Sequence, residues 1–328
     1  MFPTFPYFIK LNLDHKDAYE AFVHELPPYS DISFTTLHIW WNLNGELSVS
    51  TLNGNLVIDY QLPFDELNSG YSLVGPHDVD TSLVTILDYL GDKDLTKRLV
   101  HVPEFVIKQI ERPENFHLEE EIDYNEYIFD TQALAALEGA PYERLRRQFN
   151  RFNRELEGKS LDIRTLDVSS KETQEQLLEA TRKWDTLRSA KNDPDNAEYQ
   201  AIQRTLEHAS FFGIQSLGLY IDGELHAFTL NHRTEDQQYL IGHHLKTSHE
   251  IPGLFDYMMH QVARQALQDG VPFINAEIDL GIEGLRMHKM LLRPTEFFRK
   301  YTITVNQELL LTEALSATDS DSPQTFSP

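Results

Sequence analysis

The sequence predicts an α/β protein of two domains, each with a mixed central sheet. The chain has 328 residues, which is long for one ordinary domain and sufficient for two. Segments with the two-residue period of a strand alternate with segments that have the period of a helix. Asn53-Gly54 and Asp222-Gly223 each separate two strand-like runs, which is a strong signal for a β-hairpin.

The first half of the chain alternates strand-like and helix-like segments. Pro27 and Pro28 end a helix because neither can donate a backbone hydrogen bond. Ser30 and Asp31 are suitable residues to cap the next helix. The acidic run Glu119–Asp123 is either a domain boundary or a solvated loop. The predicted elements are, in order, strand Phe8–Leu13, helix His15–Leu26, a helix from Ser30 through Asn42, strands Glu46–Leu52 and Asn55–Gln61, helix Asp80–Leu90 and strand Arg98–Val102.

The second half has a clearer order of elements, β-αα-βββ-α-β-α-β from Leu161 onward, which resembles the GNAT acyltransferase fold. A fold by itself hosts many functions, so this order predicts architecture only. The predicted domains are 1–122 and 123–310, followed by a Ser/Asp/Pro-rich tail, 311–328, that we expect to be disordered. The predicted elements are strand Tyr127–Phe129, helix Pro141–Glu157, strand Leu161–Asp167, helices Lys171–Ser189 and Asn196–Ala209, strands Ile214–Ile221, Glu224–His232 and Gln238–Leu245, helix Gly253–Gln268, strand Pro272–Glu277, helix Ile282–Leu291 and strand Phe298–Val305.

The composition excludes several classes of protein and site. There is no cysteine, so disulfides, thiolate metal sites and cysteine nucleophiles are excluded. No run of eighteen apolar residues and no signal-peptide pattern is present, and we expect a cytoplasmic location. The net charge of −24 argues against bulk binding of nucleic acid or anionic membrane. Most of that charge, −17, lies in residues 1–140, so a local site for an anionic ligand remains possible in the second half.

A helix in the second half carries four arginines on one face. Arg144, Arg147, Arg151 and Arg154 are spaced three, four and three residues apart, which aligns them along a helix. Arginine suits bidentate contacts with phosphate, so this face predicts a seat for the phosphates of tRNA or of a nucleotide cofactor. Pairing of these arginines with acidic groups of the first domain is the alternative explanation.

The segment INAEIDLGIEGLRMHK places acidic and basic side chains close together. Asn275, Glu277 and Asp279 follow one another at period two and so share one side of a strand. Arg286 and Lys289 lie three residues apart on the next helix. Such a set can hold a charged amine or acid, or it can be an internal salt-bridge network that stabilises a strand–helix joint.

Three further features are explained by structural roles without a ligand. Gly253 opens a helix at the point where GNAT enzymes bind the pyrophosphate of coenzyme A, but Phe255 occupies a position that is usually small. A plain helix start is therefore the favoured explanation of Gly253, and we predict no cofactor and no metal. His243 and His244, in a strand, should point to opposite faces as structural histidines. The tryptophans Trp40, Trp41 and Trp184 are expected in the core or at an interface.

Three segments together resemble a known family, the group related to the C-terminal domain of phosphatidylglycerol lysyltransferase. They are SDISFTTLHIWWN near residue 30, GAPYERLRRQFNRF, and INAEIDLGIEGLRMHKMLLRPTEFFRKY, which ends at Tyr301. The last is similar to the family signature Asn-x-Glu-x-Asp-Leu-Gly-x-x-Gly-Leu-Arg-x-x-Lys. The resemblance implies tandem GNAT-like domains akin to Fem-type aminoacyltransferases, and transfer of an aminoacyl group from aminoacyl-tRNA to an unidentified acceptor.

The resemblance also implies roles for the residues above. Glu277 and Asp279 are the candidate catalytic groups, which bind the aminoacyl ammonium or act as base. Arg144, Arg147 and Arg151 are expected to hold tRNA phosphates, and Arg286 and Lys289 to orient the carboxylates beside Asn275. Two other hypotheses fit the residues: an acyl-CoA-dependent N-acyltransferase with Gly253 in the cofactor site, and a non-catalytic ligand-binding or scaffold protein.

Overall fold

The computed structural model describes residues 2–41, 47–60, 69–93, 97–187, 197–248 and 250–306, which form two compact units. The first unit comprises the described residues within 2–10, 48–121 and 300–306, and the second comprises those within 11–47 and 122–299. The limit between residues 121 and 122 lies one residue before the predicted boundary at 122/123. Both units are discontinuous in sequence, which the predicted domains are not. The predicted tail 311–328 lies outside the described residues, as do Asn42 and Glu46.

The first unit is a seven-stranded mixed sheet with one parallel pair. Its strand order is β1-β2-β3-β4-β5-β14-β6, and only β4 and β5 run parallel. The helix after β4 packs its apolar residues, spaced for one face, on this sheet. The elements are β1 (Ile9–Lys10), β2 (Ser48–Leu52), β3 (Asn55–Tyr60), β4 (Gly70–Val74), α3 (Val79–Asp92), β5 (Arg98–Pro103), α4 (Glu104–Ile107), β6 (Phe116–Glu120) and β14 (Lys300–Val305).

The second unit repeats this sheet strand for strand. Its order is β13-β7-β12-β11-β10-β9-β8, with one parallel pair, β11 and β12. Its strands are β7 (Glu126–Asp130), β8 (Leu161–Thr165), β9 (Leu217–Ile221), β10 (Glu224–Arg233), β11 (Tyr239–Thr247), β12 (Phe273–Asn275) and β13 (Glu296–Phe298). Its helices are α1 (Lys16–Val23), α2 (Phe34–Thr36), α5 (Thr131–Ala136), α6 (Glu143–Glu155), α7 (Lys171–Leu187), α8 (Ala197–Glu207), α9 (Ala209–Phe212), α10 (Leu254–Gln268) and α11 (Glu283–Leu291).

The two sheets exchange one strand. In a simple tandem repeat, β7 would follow β6 into the first sheet and β14 would close the second. Instead β7 pairs with β12 and β13, whereas β14 lies between β5 and β6. The predicted single strand Phe298–Val305 is therefore wrong: it breaks at Arg299, and its two parts belong to different sheets.

The fold class and most of the predicted elements are confirmed. Both hairpins form at the predicted dipeptides, where Asn53 and Asp222 have φ of 49° and 52° and the following glycines also have positive φ. The helix predicted from Ser30 begins later, as α2, and continues through a wider turn at Leu37–Trp41. The acidic run Glu119–Asp123 is not a plain loop, because its first two residues belong to β6.

The core of the second unit lies between its sheet and helices α5, α6 and α10. Leu145, Phe149 and Phe152 of α6 pack there with Met258 and Val262 of α10. On the opposite face of this sheet Trp184 is buried against Phe228, 5.9 Å between ring centroids, as expected for a core tryptophan. Within the ranges that the structure describes, no helix is long and apolar enough to cross a membrane.

The exchanged strand β14 yields a test of the fold. A chain that ends at Arg299 lacks the common neighbour of β5 and β6, so we expect the amides of Leu99 and Val102 to lose their hydrogen-exchange protection. A chain that ends at Asn306 is the control and should keep it. Equal protection in the two chains would contradict the observed strand order.

Candidate functional site

The candidate site forms where the parallel strands β11 and β12 part. They pair as far as Ile241 and Asn275, after which β12 ends and β11 continues to Thr247. Glu277 then turns away with φ of 56°, a left-handed conformation that is unfavourable for a side chain of this kind. A gap between the two strands therefore begins next to this strained residue.

Two side chains hold this turn. The backbone N–H of Glu277 donates to Oδ1 of Asn275 at 2.9 Å. The buried Lys289 donates from Nζ to the carbonyls of Ala276, Glu277 and Ile278 at 2.7, 3.2 and 2.6 Å. One ammonium group thus binds three successive carbonyls, and the middle one, that of Glu277, also accepts from the backbone N–H of Tyr127 at 3.3 Å.

Asp279 fixes the rest of the loop. Its carboxylate is fully buried and accepts two bonds from Arg286, at 2.7 and 2.8 Å, and one from the N–H of Gly281 at 2.8 Å. Tyr127 Oη donates to it at 2.5 Å. Burial opposes ionisation, but the bonds from Arg286 and Tyr127 prevail and hold the pKa of Asp279 below its usual value. Arg286 also reaches Asp123 at 2.6 Å.

A second buried carboxylate joins two distant parts of the sequence. Glu126, on β7, accepts from the backbone N–H groups of Ser30 and Asp31 at 2.8 and 3.4 Å. It also accepts from Nδ2 of Asn275 at 2.5 Å. The segment SDISF is thereby attached to the end of β12, beside the Glu277 turn.

A hydrogen-bonded row of side chains starts at Glu277 and runs back to the SDISF segment. His243 Nδ1 is 2.9 Å from Oε1 of Glu277, and His243 Nε2 is 2.6 Å from Nδ1 of His232. His232 Nε2 lies 3.5 Å from Oγ of Ser33. Both imidazoles are buried, whereas Glu277 keeps 13% of its side chain exposed. We refer to Ser33, His232, His243 and Glu277 as the histidine row.

Burial makes both histidines of the row weak bases. It lowers the pKa of His243 to about 3, and it lowers the pKa of His232 well below its ordinary value, with help from the neighbouring His243 and Lys16. Both rings are therefore neutral at physiological pH. A neutral ring donates from one nitrogen and accepts at the other, which is the pattern needed for a continuous row.

A β-bulge explains why the two adjacent histidines of β11 do not obey the predicted alternation. The pairing of β10 with β11 shifts at Leu230 and Asn231, so His243 is an extra residue. The rings of His243 and His244 are 6.5 Å apart, and the expectation that they point to opposite faces is wrong. His244 instead contacts Thr205 on α8, at 3.0 Å.

The start of α10, which includes Gly253, is occupied by the protein's own side chains. Gly253 has φ of 82° and lies against Gln148 of α6. The fully buried Asp256 accepts from Gln148 at 2.8 Å and is 2.9 Å from Nδ1 of His288 on α11. The bond to Asp256 raises the pKa of His288 in spite of its partial burial. A carboxylate thus already interacts with the positive end of this helix.

The arginine face of α6 is exposed to solvent. The side chains of Arg147 and Arg151 are 73% and 72% exposed, and Arg144 is exposed as well. Their neighbours on the helix are glutamates one turn away, Glu143 at 3.8 Å from Arg147 and Glu155 at 2.7 Å from Arg151. Such exposed pairs are weak and leave the guanidinium groups available to another anion.

The structure brings some of the predicted residues together and leaves others apart. Asn275, Glu277, Asp279, Arg286 and Lys289 meet at the Glu277 turn. The three α6 arginines lie on another element that reaches this region through Gln148, Asp256 and His288. His232, Ser33 and Glu126 are not predicted from the sequence, because isolated histidines, serines and buried acids have no characteristic spacing. The sequence predicts helix capping by Ser30 and Asp31 in the SDISF segment, and the family resemblance includes this segment, but neither predicts its place beside Glu277.

The fold is that of tandem GNAT-like α/β units, as the sequence predicted. The family model for the C-terminal domain of phosphatidylglycerol lysyltransferase matches residues 26–304. The chain therefore belongs to this family, as its sequence signature predicted.

Solved structures support the same assignment at the level of the fold. A conserved protein of unknown function from Bacteroides thetaiotaomicron is 21% identical, with a TM-score of 0.77 over 93% of this chain and 100% of that one. The C-terminal domain of a putative lysylphosphatidylglycerol synthetase from Agrobacterium fabrum is 12% identical, with a TM-score of 0.62 over 94% and 96%. L-PGS from Bacillus licheniformis is 16% identical, with a TM-score of 0.57 over 92% and 95%. Comparison with the curated proteins gives no match.

The ammonium of Lys289 should be essential for stability. The substitution Lys289→Met removes the ammonium group that donates to three successive carbonyls, and we expect the free energy of unfolding to fall by about 3 kcal/mol in urea titrations. Lys159→Met, at an exposed position after α6, is the matched control and should change it little. Equal effects of the two substitutions would show that the three bonds do not hold the turn.

Asp279 should make stability depend on acid pH. Its pKa is depressed in the folded protein, so its contribution is complete above the pKa of the unfolded chain, about 3.9, and is lost as pH falls through the folded value. We expect Asp279→Asn to destabilise the protein at pH 7 and to make less difference near pH 3. Asp162→Asn, at an exposed position, is the control. A difference that does not vary with pH would contradict this role.

Proposed function

We propose that this protein transfers an aminoacyl group from aminoacyl-tRNA to an acceptor, with Glu277 as the group that receives the acceptor's proton. The observation that carries the proposal is the Glu277 turn, which holds a partly exposed carboxylate in the gap between β11 and β12. Membership of the lysyltransferase family supports aminoacyl transfer as the reaction class.

The chemistry requires little more than positioning and proton transfer. An aminoacyl ester is already activated, so the protein has to hold it beside the acceptor and accept one proton. Glu277 suits this step, since it is accessible and its contact with His243 orients it. Asp279, whose oxygens are occupied by Arg286, Tyr127 and Gly281, is proposed as a positioning residue, together with Arg286 and Lys289.

Charged tRNA is favoured over acyl-CoA as the donor. The helix start that would bind the pyrophosphate of coenzyme A already holds Asp256, and a second anion there would meet a buried carboxylate. The exposed arginine face of α6 offers three guanidinium groups for the phosphates of a tRNA end. The cytoplasm, which supplies charged tRNA, is the proposed location.

A lipid acceptor is favoured by an apolar patch beside the turn. The exposed apolar side chains of this region are Ile122, Leu280, Met287 and Met290, at 62%, 57%, 54% and 45% exposure, and exposed apolar residues that lie together are typical of an interaction surface. Two of them lie on α11, the helix that carries Arg286 and Lys289. We propose that this patch contacts the acyl chains of a lipid whose headgroup receives the aminoacyl group.

Transfer from radiolabelled aminoacyl-tRNA tests the donor and the two groups of residues. We expect Glu277→Gln to lower kcat about 100-fold, the usual effect of removing a general base, without weakening tRNA binding. Arg147→Glu with Arg151→Glu should weaken tRNA binding and flatten its salt dependence, since two phosphate contacts are lost. Lys171→Glu with Lys183→Glu, two exposed substitutions on α7 that change the net charge equally, is the control.

The same assay tests the acceptor by offering one of two substrates. The first is phosphatidylglycerol in vesicles, and the second is a soluble amine without vesicles. Product in the vesicles alone would support the lipid acceptor, and product with the soluble amine alone would exclude it. Undiminished transfer by Glu277→Gln, or thermal stabilisation by acetyl-CoA and not by charged tRNA, would contradict the proposed function.

A further inference from the structure

Ser33 has the surroundings of an activated serine. It directly precedes α2, but its hydroxyl makes no capping bond to that helix. Its Oγ instead faces Nε2 of His232 at 3.5 Å. Separations of this kind are common for a nucleophile and its base when no substrate is bound.

The base next to Ser33 is itself oriented by two further groups. His232 contacts His243, and His243 contacts Glu277, so a serine, two imidazoles and a carboxylate follow one another through hydrogen bonds. This is the order of a nucleophile, a base and an orienting acid, lengthened by one histidine. Glu126 fixes the Ser33 segment by holding the N–H groups of Ser30 and Asp31.

A purely structural explanation accounts poorly for the histidine row. Burying two imidazoles in contact is unfavourable compared with an apolar pair of similar volume. Both ends of the row are accessible, because Ser33 is partly exposed and Glu277 retains 13% of its exposure. A network that only stabilises the sheet does not require solvent access at either Ser33 or Glu277.

We propose that Ser33 is a nucleophile that accepts an acyl group from an activated carboxylic ester. Its Oγ forms a bond to the ester carbonyl carbon, and the bond from that carbon to the alcohol oxygen breaks. The hydroxyl proton passes to His232 Nε2, the Nδ1 proton of His232 to His243 Nε2, and the Nδ1 proton of His243 to Glu277. The alcohol leaves with a proton returned along the row, and an amine or water then takes the acyl group and regenerates Ser33.

This inference rests on the proposed function only in its use of Glu277 as the final proton acceptor. It requires neither tRNA nor a lipid, so small esters and a serine-directed reagent test it directly. A second serine–histidine pair serves as a control, because Ser248 Oγ is 3.0 Å from Nδ1 of His226. In the described part of the chain no carboxylate is hydrogen-bonded to His226, so this pair lacks the rest of the row.

The first experiment treats the full chain with a fluorophosphonate reagent and locates the adduct by mass spectrometry, with p-nitrophenyl acetate hydrolysis measured in parallel. We expect modification at Ser33, no modification in Ser33→Ala, and a rate about 100-fold lower in Glu277→Gln. Ser248→Ala should react like the unaltered chain. Modification at Ser248, or no difference between Ser33→Ala and the unaltered chain, overturns the proposal.

The absence of native cysteine permits a second experiment that does not depend on turnover. Ser33→Cys introduces the single thiol of the chain, and the row should raise its reactivity towards iodoacetamide about tenfold above that of Ser248→Cys. Adding Glu277→Gln should remove the difference, whereas equal rates in the first two variants overturn the proposal. If Ser33 reacts but no transfer from charged tRNA occurs, the proposed function alone fails. If transfer persists in Ser33→Ala and Ser33 does not react, only this inference fails.

Discussion

The left-handed turn at Glu277 is the constraint on which the candidate site depends. A regular continuation of β12 would pair with β11 and close the gap between the two strands. The turn is unfavourable by roughly 1–2 kcal/mol, so it persists only because its surroundings fix it. Lys289 supplies most of this restraint through three carbonyls, and Asp279 with Arg286 holds the loop that follows. Lys289, Asp279 and Arg286, the charged residues of the family signature, thus mainly fix the shape of the site, whereas Glu277 is the group available for chemistry.

The first unit contains a related arrangement, in which the histidine rather than the glutamate has the left-handed backbone conformation. Its parallel strands β4 and β5 pair at Leu99, and His101, two residues later, has φ of 54°. In the second unit Glu277 lies two residues after Asn275, the last paired residue. His101 contacts Glu121 at 2.6 Å, as His243 contacts Glu277. Glu121 is further bound by Thr302, and despite burial these contacts lower its pKa to about 2. A histidine–glutamate contact therefore lies beside the left-handed turn in both units, and the two glutamates keep similar side-chain exposures, 10% for Glu121 and 13% for Glu277.

The sequence predicted local structure well and long-range structure partly. The Asn-Gly and Asp-Gly turns, the α6 helix and the joint from β12 to α11 follow from period and turn chemistry, which are local. The break at Arg299 depends on which sheet each residue joins, and no local pattern encodes that choice. The cluster at Asn275–Lys289 was recognised because its members are close in sequence. His232, Ser33 and Glu126 were missed because burial and a one-residue bulge, rather than spacing, bring them to Glu277.

The low basicity of the two buried histidines decides how the row can work. A histidine whose pKa is lowered to about 3 cannot store a proton at neutral pH, so His243 alone is a poor general base. A row that ends on a carboxylate avoids this limit, because each ring releases one proton as it accepts another and neither becomes charged. The cost of charging a buried imidazole is then never incurred. For this reason the burial of His232 and His243 is compatible with proton transfer only if Glu277 stays at the end of the row, and the Lys289-held turn is what keeps it there.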